Sequence, residues 1–389
     1  MDLYNMINKF KEPIYITTPL LPDQQALQKS IQSIWDAKWL TNHGQYHNLL
    51  EKNLTLKLNV KNLSVVNNGT IGLMIALRAL GIRTGEVITT PFTFAATPHA
   101  ISWNNLDLIF CDINPDTYCI DADKIEQHIT KKTKAILAVH VFGNLCDVEK
   151  IQAIAKKHQL KVIYDAAHAF NATINGNPIG NYGDISCFSF HATKLFHSLE
   201  GGCLTYNDSA LKDTIYLLRN FGIQDEDSVV DIGLNGKMNE IQSAVGLLVL
   251  DMVNEERRKR SIVYNTYHDH LHDIEGLILP SMPAHCSNSY QYFPIRILDS
   301  LGPRSRDYLF NTLKSYNVIS RKYFYPLCSD YTPYQHLPTS SRDNLPIANI
   351  IKDQILCLPF YGDLGVDSTK KICAIIREIM AKQKTLLSQ

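Results

Sequence analysis

The sequence predicts an α/β protein: a large domain built on a mostly parallel sheet covered on both faces, then a smaller C-terminal α+β domain. Three observations carry this expectation. From about residue 70 to residue 165, strand-like and helix-like segments alternate at the spacing of β–α–β units. The strand-like segments 133–140 and 161–164 are apolar almost throughout, as strands buried on both faces are. After about residue 205 helical segments dominate, and a mixture of short strands and helices closes the chain.

Each element has its own signal. Residues 71–80 place apolar side chains at helical spacing and stop at Gly81. Residues 86–90 read as a strand closed by Pro91, 95–103 as a helix and 107–111 as the next strand. Residues 133–140 follow as a strand, 147–158 as a helix and 161–164 as a strand. Helices are expected over 209–220 and from Asn239 to about His272, with a strand over 291–298. No repeat and no Pro/Gly/Ser-rich linker divides the chain. The domain boundary is placed inside the long helix, giving an N-terminal arm and large domain over 1–255 and a small domain over 256–389. The charged run from Glu255 to Arg260 reads as a solvated helix face.

Composition narrows the function. The chain has 389 residues, and its 38 basic and 38 acidic side chains cancel. It therefore lacks the basic field that nucleic acid or an anionic membrane requires. Nine cysteines, an odd number without a C-x-x-C pair, suggest buried, reduced thiols and a cytoplasmic setting. No apolar run approaches the length of a membrane span, and the first residues carry charge where a signal peptide is apolar. Dinucleotide, P-loop and nucleophile-elbow motifs are absent. The pair His43/His47 and the group His268/His270/His272 lack a carboxylate or cysteine at ligand spacing, so they read as surface histidines and no metal is expected.

Three features remain. Asn67-Asn68-Gly69-Thr70 precedes a helix, where free backbone N–H groups and a hydroxyl suit an anion such as phosphate; an ordinary helix cap accounts for it equally well. Asp165 follows a buried strand, where α/β sheets place ligands, with small Ala166 and Ala167 beside it, although it too can serve as a cap. Lys194 follows the apolar stretch Ser186–Phe190 and precedes Glu200-Gly201-Gly202; a lysine in such a pocket loses its proton cheaply, as Schiff-base chemistry requires. An anion site, a carboxylate for a ring nitrogen and an imine-forming lysine together specify pyridoxal phosphate.

These residues, with Pro91–Thr97, Asp165–Ala169, Ser189–Lys194, Arg219–Gly222, Gly233–Glu240 and Cys357–Pro359 in order, make residues 39–364 resemble the sugar aminotransferase family named for DegT, DnrJ, EryC1 and StrS. The resemblance implies the aspartate-aminotransferase-like fold (fold type I), pyridoxal 5′-phosphate and a homodimer with shared active sites. It implies that Lys194 carries the cofactor's aldehyde, Asp165 partners the ring nitrogen and His168 reaches the phenolic oxygen. Phe94 would stack on the ring. Gly69, Thr70 and Ser189 would bind the phosphate, with Asn235 reaching it from the neighbouring subunit. His191 and Arg219 are candidate substrate contacts. Gly85-Glu86, Asn171 and His197-Ser198 depart from the family's common residues, none of them at a cofactor position. The His-Ala-Thr-Lys and Glu-Gly-Gly motifs resemble members that transfer an amino group from L-glutamate to C4 of a nucleotide-linked 4-keto-6-deoxyhexose, closest to those that form dTDP-4-amino-4,6-dideoxy-D-glucose. Amination at C3, a GDP- or UDP-sugar, or a non-catalytic cofactor-binding regulator are the alternatives.

Overall fold

Seven strands form the central sheet: Asn62–Val66 (β1), Glu86–Thr89 (β2), Asp107–Phe110 (β3), Thr133–Val139 (β4), Lys161–Asp165 (β5), Ile185–Ser189 (β6) and Gly202–Tyr206 (β7). The structure, a computed structural model, describes residues 7–298, 302 and 305–387. Across the sheet the order is β1-β7-β6-β5-β4-β2-β3. Strands β3, β2, β4, β5 and β6 pair in parallel, and β7 is antiparallel to both β6 and β1. Six strands therefore point the same way, and their C-terminal ends open on one edge. This is the mostly parallel sheet that the alternating pattern predicts.

The longer helices of this part are Gln24–Ala37 (α1), Gln45–Leu58 (α2), Gly69–Ala79 (α3), Ala96–Trp103 (α4), Val148–His158 (α5), Leu211–Leu218 (α6) and Glu240–Leu271 (α7). Helix α3 begins two residues before its apolar pattern does, because the Asn68 side chain accepts the Ile71 N–H at 2.9 Å and caps it. Helix α2 has no cap of its own. Its first amides are taken by the buried Glu240 carboxylate, at 2.8 Å from Tyr46 N and 3.0 Å from His47 N. Gly44 permits this approach, since a Cβ there would stand 2.5 Å from the carboxyl carbon of Glu240.

A second, antiparallel sheet of Leu277–Ile278 (β8), Phe293–Ile297 (β9) and Ile355–Leu358 (β10) packs with Ser305–Ser315 (α8) and Gly365–Leu387 (α10); Pro346–Gln354 (α9) leads into β10. Helix α7 joins the two cores: Val245, Val249 and Val253 lie in the first, Val263, Tyr267 and Leu271 in the second. Phe324, Leu327, Ala348 and Ile351 return to the first core, so the C-terminal half contributes to both.

Two expectations about charged residues need correction. The run on α7 is only partly a solvated face, because Arg260 and Glu256 are 1% and 4% exposed and bonded at 2.6 Å. Four-residue spacing on a helix lets this pair satisfy itself inside the protein. His47 is likewise no surface histidine: it is buried, with Nε2 at 2.9 Å from His43 Nδ1 and 3.4 Å from Glu51. All nine cysteines are unpaired, and eight are buried. Among the described residues, no helix is long and apolar enough to cross a membrane.

Candidate active site

The strand ends converge on a cavity of about 590 Å³, in the range of pockets that take a small organic ligand. Val139 from β4, Asp165 from β5 and Cys187 and Ser189 from β6 line it, together with Gly69 and Thr70 from the start of α3. Thr93 and Phe94, beyond the end of β2, close one side, and Tyr292, Tyr323 and Phe324 arrive from the C-terminal half. His168, His191, Lys194 and Glu200 also face it.

Asp165 is buried and doubly held. Thr97 Oγ1 donates to Oδ2 at 2.8 Å, the Ala167 N–H donates to Oδ1 at 3.1 Å, and Thr93 Oγ1 lies 3.0 Å from the Thr97 hydroxyl. Burial pushes the carboxyl pKa up, while the Thr97 bond, the Ala167 N–H and the nearby Lys194 charge pull it back. Lys194 stands in the loop between β6 and β7. Burial lowers its amine from 10.5 to about 8, against the raising influence of Asp165. The His168 imidazole is neutral, its pKa held well below the ordinary value by burial and then by Lys194. The Phe142 N–H donates to its Nδ1 at 3.2 Å, so the ring proton resides on Nε2. Its ring lies parallel to Phe324 at 6.1 Å and edge-on to Tyr292 at 5.0 Å.

At the other end of the cavity, the amides of Gly69 and Thr70 open helix α3 without intrahelical partners. The space is tight: a Cβ on Gly69 would lie 3.1 Å from the Ser189 Cβ, and one on Gly202 3.0 Å from Gly69 N. Phe94 borders the cavity and is 62% exposed. His191 is at the mouth, with Nδ1 2.8 Å from Thr193 Oγ1 and Nε2 3.5 Å from Glu200.

Two expected residues lie elsewhere. Arg219 does not line the cavity. It is 4% exposed, and its guanidinium donates to Glu51 at 2.7 Å and to the Val65 carbonyl at 2.6 Å. In this chain it ties the helix α2 carboxylate to the underside of β1. Asn235 also stands outside the cavity of its own chain. Its side chain is exposed, and its carbonyl accepts from Asn67 Nδ2 at 3.0 Å. It does not cap the following helix, because Asn239 does so with Gln242 in a reciprocal capping box. Thr97, Tyr292, Tyr323, Phe324 and Gln291 carry no sequence signal of their role. Thr97 ends the Pro91–Thr97 motif, and the others lie more than 90 residues beyond Lys194, where only folding brings them in.

The fittings answer the needs of one cofactor. Pyridoxal phosphate has an anion at one end, a basic ring nitrogen at the other and an aldehyde between. The small-residue cradle at α3, the Asp165 carboxylate and the Lys194 amine with its lowered pKa match these three groups. The class is thus a pyridoxal-phosphate-dependent enzyme of fold type I. Residues 22–377 match the DegT/DnrJ/EryC1/StrS aminotransferase family, and the chain belongs to it. It is an aminotransferase of nucleotide-linked sugars.

The chain is 44% identical to a dTDP-4-amino-4,6-dideoxy-D-glucose transaminase of Escherichia coli, over 93% of this chain and 98% of that protein. A protein of the same description from Shigella dysenteriae is 42% identical over 95% of this chain and 100% of its own length. The crystal structure of DesI in the presence of its TDP-sugar product superposes with a TM-score of 0.91 at 31% identity, covering 98% of this chain and 96% of DesI.

Proposed function

We propose that the protein transfers the amino group of L-glutamate to C4 of dTDP-4-keto-6-deoxy-D-glucose, giving dTDP-4-amino-4,6-dideoxy-D-glucose and 2-oxoglutarate. The observation that carries this reading is the 44% identity, over nearly the whole chain, to the transaminase of that description. The working unit is a cytoplasmic homodimer with shared sites, in which the exposed Asn235 reaches the cofactor phosphate of its neighbour.

When bound, pyridoxal phosphate supplies an aldehyde that takes up an amine and a ring that withdraws electrons from the adjoining carbon. The protein's own residues do the rest. Asp165, oriented by Thr97 and the Ala167 N–H, would keep a proton on the ring nitrogen through its charge. Lys194 would hold the aldehyde, and its Nζ, when free, would accept the α-proton of the amino donor. Burial already favours the neutral amine at Nζ, which suits it to take up and release a proton. With Nδ1 accepting from the Phe142 N–H, His168 would offer its Nε2–H to the cofactor's phenolic oxygen. Gly69, Thr70 and Ser189 would bind the phosphate, Phe94 would cover the ring face, and His191 would stand where the sugar nucleotide enters.

The test is a coupled assay of the purified protein with glutamate and a panel of dTDP-, UDP- and GDP-linked 4-keto-6-deoxyhexoses. Expected is 2-oxoglutarate formation with dTDP-4-keto-6-deoxy-D-glucose at a kcat/KM at least about tenfold above the other sugars, which corresponds to about 1.4 kcal/mol of discrimination. Preference for a GDP- or UDP-sugar, or amination at C3, would overturn the assignment.

A further inference from the structure

Lys194 lies in the loop between β6 and β7, where no ladder of strand hydrogen bonds fixes the backbone. The loop contributes some order itself, through Lys194 N–H to His191 O at 2.8 Å and Phe190 N–H to Gly201 O at 2.7 Å. The two peptide groups that flank the lysine side chain also share one partner outside the loop. Gln291 Oε1 accepts the Leu195 N–H at 2.8 Å, and Gln291 Nε2 donates to the Thr193 carbonyl at 3.1 Å. Gln291 is 4% exposed and does not line the cavity.

We infer that Gln291 is a positioning residue for Lys194, clamping the backbone on both sides of the lysine so that its amine swings from a fixed point. The inference rests on the assignment of Lys194 as the lysine that captures pyridoxal phosphate. A primary amide suits the task because it accepts and donates from one rigid plane, whereas a carboxylate can only accept. The clamp is itself anchored. Arg260 donates to the Tyr290 carbonyl at 3.0 Å and Arg257 to the Asn288 carbonyl at 2.8 Å, so the segment before β9 hangs from the middle of α7. The same segment registers the second ring of the site. Ser289 Oγ donates to the His168 carbonyl at 2.6 Å, and Tyr292 lies edge-on to His168 with Lys194 Nζ 5.9 Å from its ring centre. Buried Arg260 thus acquires a reason beyond packing: it holds the piece of chain that sets Lys194 against His168.

A lysine that must meet two different atoms in turn depends on where its Cα stands. A displacement of about 1 Å can cost about a hundredfold in rate while leaving binding contacts intact. Releasing the clamp is therefore expected to slow capture and turnover without weakening the phosphate or substrate contacts.

Two variants test this. Gln291→Met keeps the length and volume but makes neither hydrogen bond; Gln291→Glu keeps the bond to Leu195 N–H and loses the donor. Cofactor-free protein is mixed with pyridoxal 5′-phosphate, reduced with borohydride at set times, and the Lys194 peptide followed by mass. In Gln291→Met the capture rate should fall at least about tenfold, and kcat by about ten- to a hundredfold, with KM for glutamate within about threefold of wild type. In Gln291→Glu the added carboxylate should also move the capture midpoint to higher pH, which loss of packing alone would not do. Capture and kcat within twofold of wild type in a variant that melts as wild type does would overturn the clamp. So would a loss that follows melting temperature alone. If Gln291→Met does not fold, Gln291→Glu is judged by the same outcomes. Should wild-type protein itself leave Lys194 unlabelled, the assignment of the lysine fails instead, and the clamp loses its object with it.

Discussion

The basicity of Lys194 is set by its surroundings. An exposed lysine holds its proton far above neutral pH, whereas this one is brought from 10.5 to about 8 by burial, and Asp165 opposes the change. The neutral amine is the form that attacks an aldehyde, so capture of pyridoxal phosphate by cofactor-free protein should rise with pH and level off above about 8. Asp165→Asn removes the charge that raises the lysine pKa. The capture midpoint should then move below that of wild type, while turnover falls by orders of magnitude because a neutral amide cannot keep the ring nitrogen protonated. Borohydride trapping across a pH series reads the first effect and the coupled assay the second. An unmoved midpoint would separate the two groups electrostatically, and wild-type turnover would remove Asp165 from the chemistry.

At the scale of elements, the cavity depends on how helix ends and strand ends are tied down. Helix α2 is capped by Glu240 from α7, and the underside of β1 is held by the Arg219–Glu51 pair, with His47 and His43 beside it. Burial pushes the Glu51 carboxyl up, but the His47 bond and the Arg219 guanidinium outweigh it and hold it at about 2, against 4.5 in an ordinary glutamate. A folded-state pKa below the unfolded one gives stability that is full above pH 4.5 and fades as pH falls towards about 2. Arg219→Met leaves that carboxylate short of a partner and should cost about 3 kcal/mol at neutral pH. It should also move acid unfolding to higher pH. Urea unfolding at several pH values reads both. KM for the nucleotide sugar should remain near wild type; a raised KM with unchanged stability would restore Arg219 as a substrate contact.

For the whole molecule, the question is whether one chain completes a site. Asn235 points out of its own chain's cavity, while Lys194, Asp165 and the α3 cradle lie inside it. If Asn235 serves the neighbouring site, cofactor and dimer stabilise each other by linkage. Hybrids of Lys194→Ala chains with Asn235→Ala chains decide the matter. One site in each hybrid combines an intact Lys194 with an intact Asn235 from the partner, and it should regain the cofactor affinity that Asn235→Ala homodimers lose. Binding no tighter than in those homodimers would confine Asn235 to its own chain.

Local pattern was enough for the parts whose signal is local. The alternation of apolar runs foretold β2 to β5 and α3 to α5 within about two residues of their ends, because burial on both faces and helical spacing are written in consecutive residues. The motif residues Gly69, Asp165, Ser189 and Lys194 open a helix, end a strand or follow one, and so line one cavity at the same sheet edge. Other features depended on contacts between distant residues. No local pattern reveals that Glu240 caps a helix nearly 200 positions earlier, or that Arg219 turns inward to Glu51. Nor does it show that Thr97 orients Asp165 or that Gln291 spans Lys194. A hydrogen bond requires its donor and acceptor to be about 3 Å apart. Sequence fixes the chemical groups available, and tertiary packing alone decides which of them come within that reach.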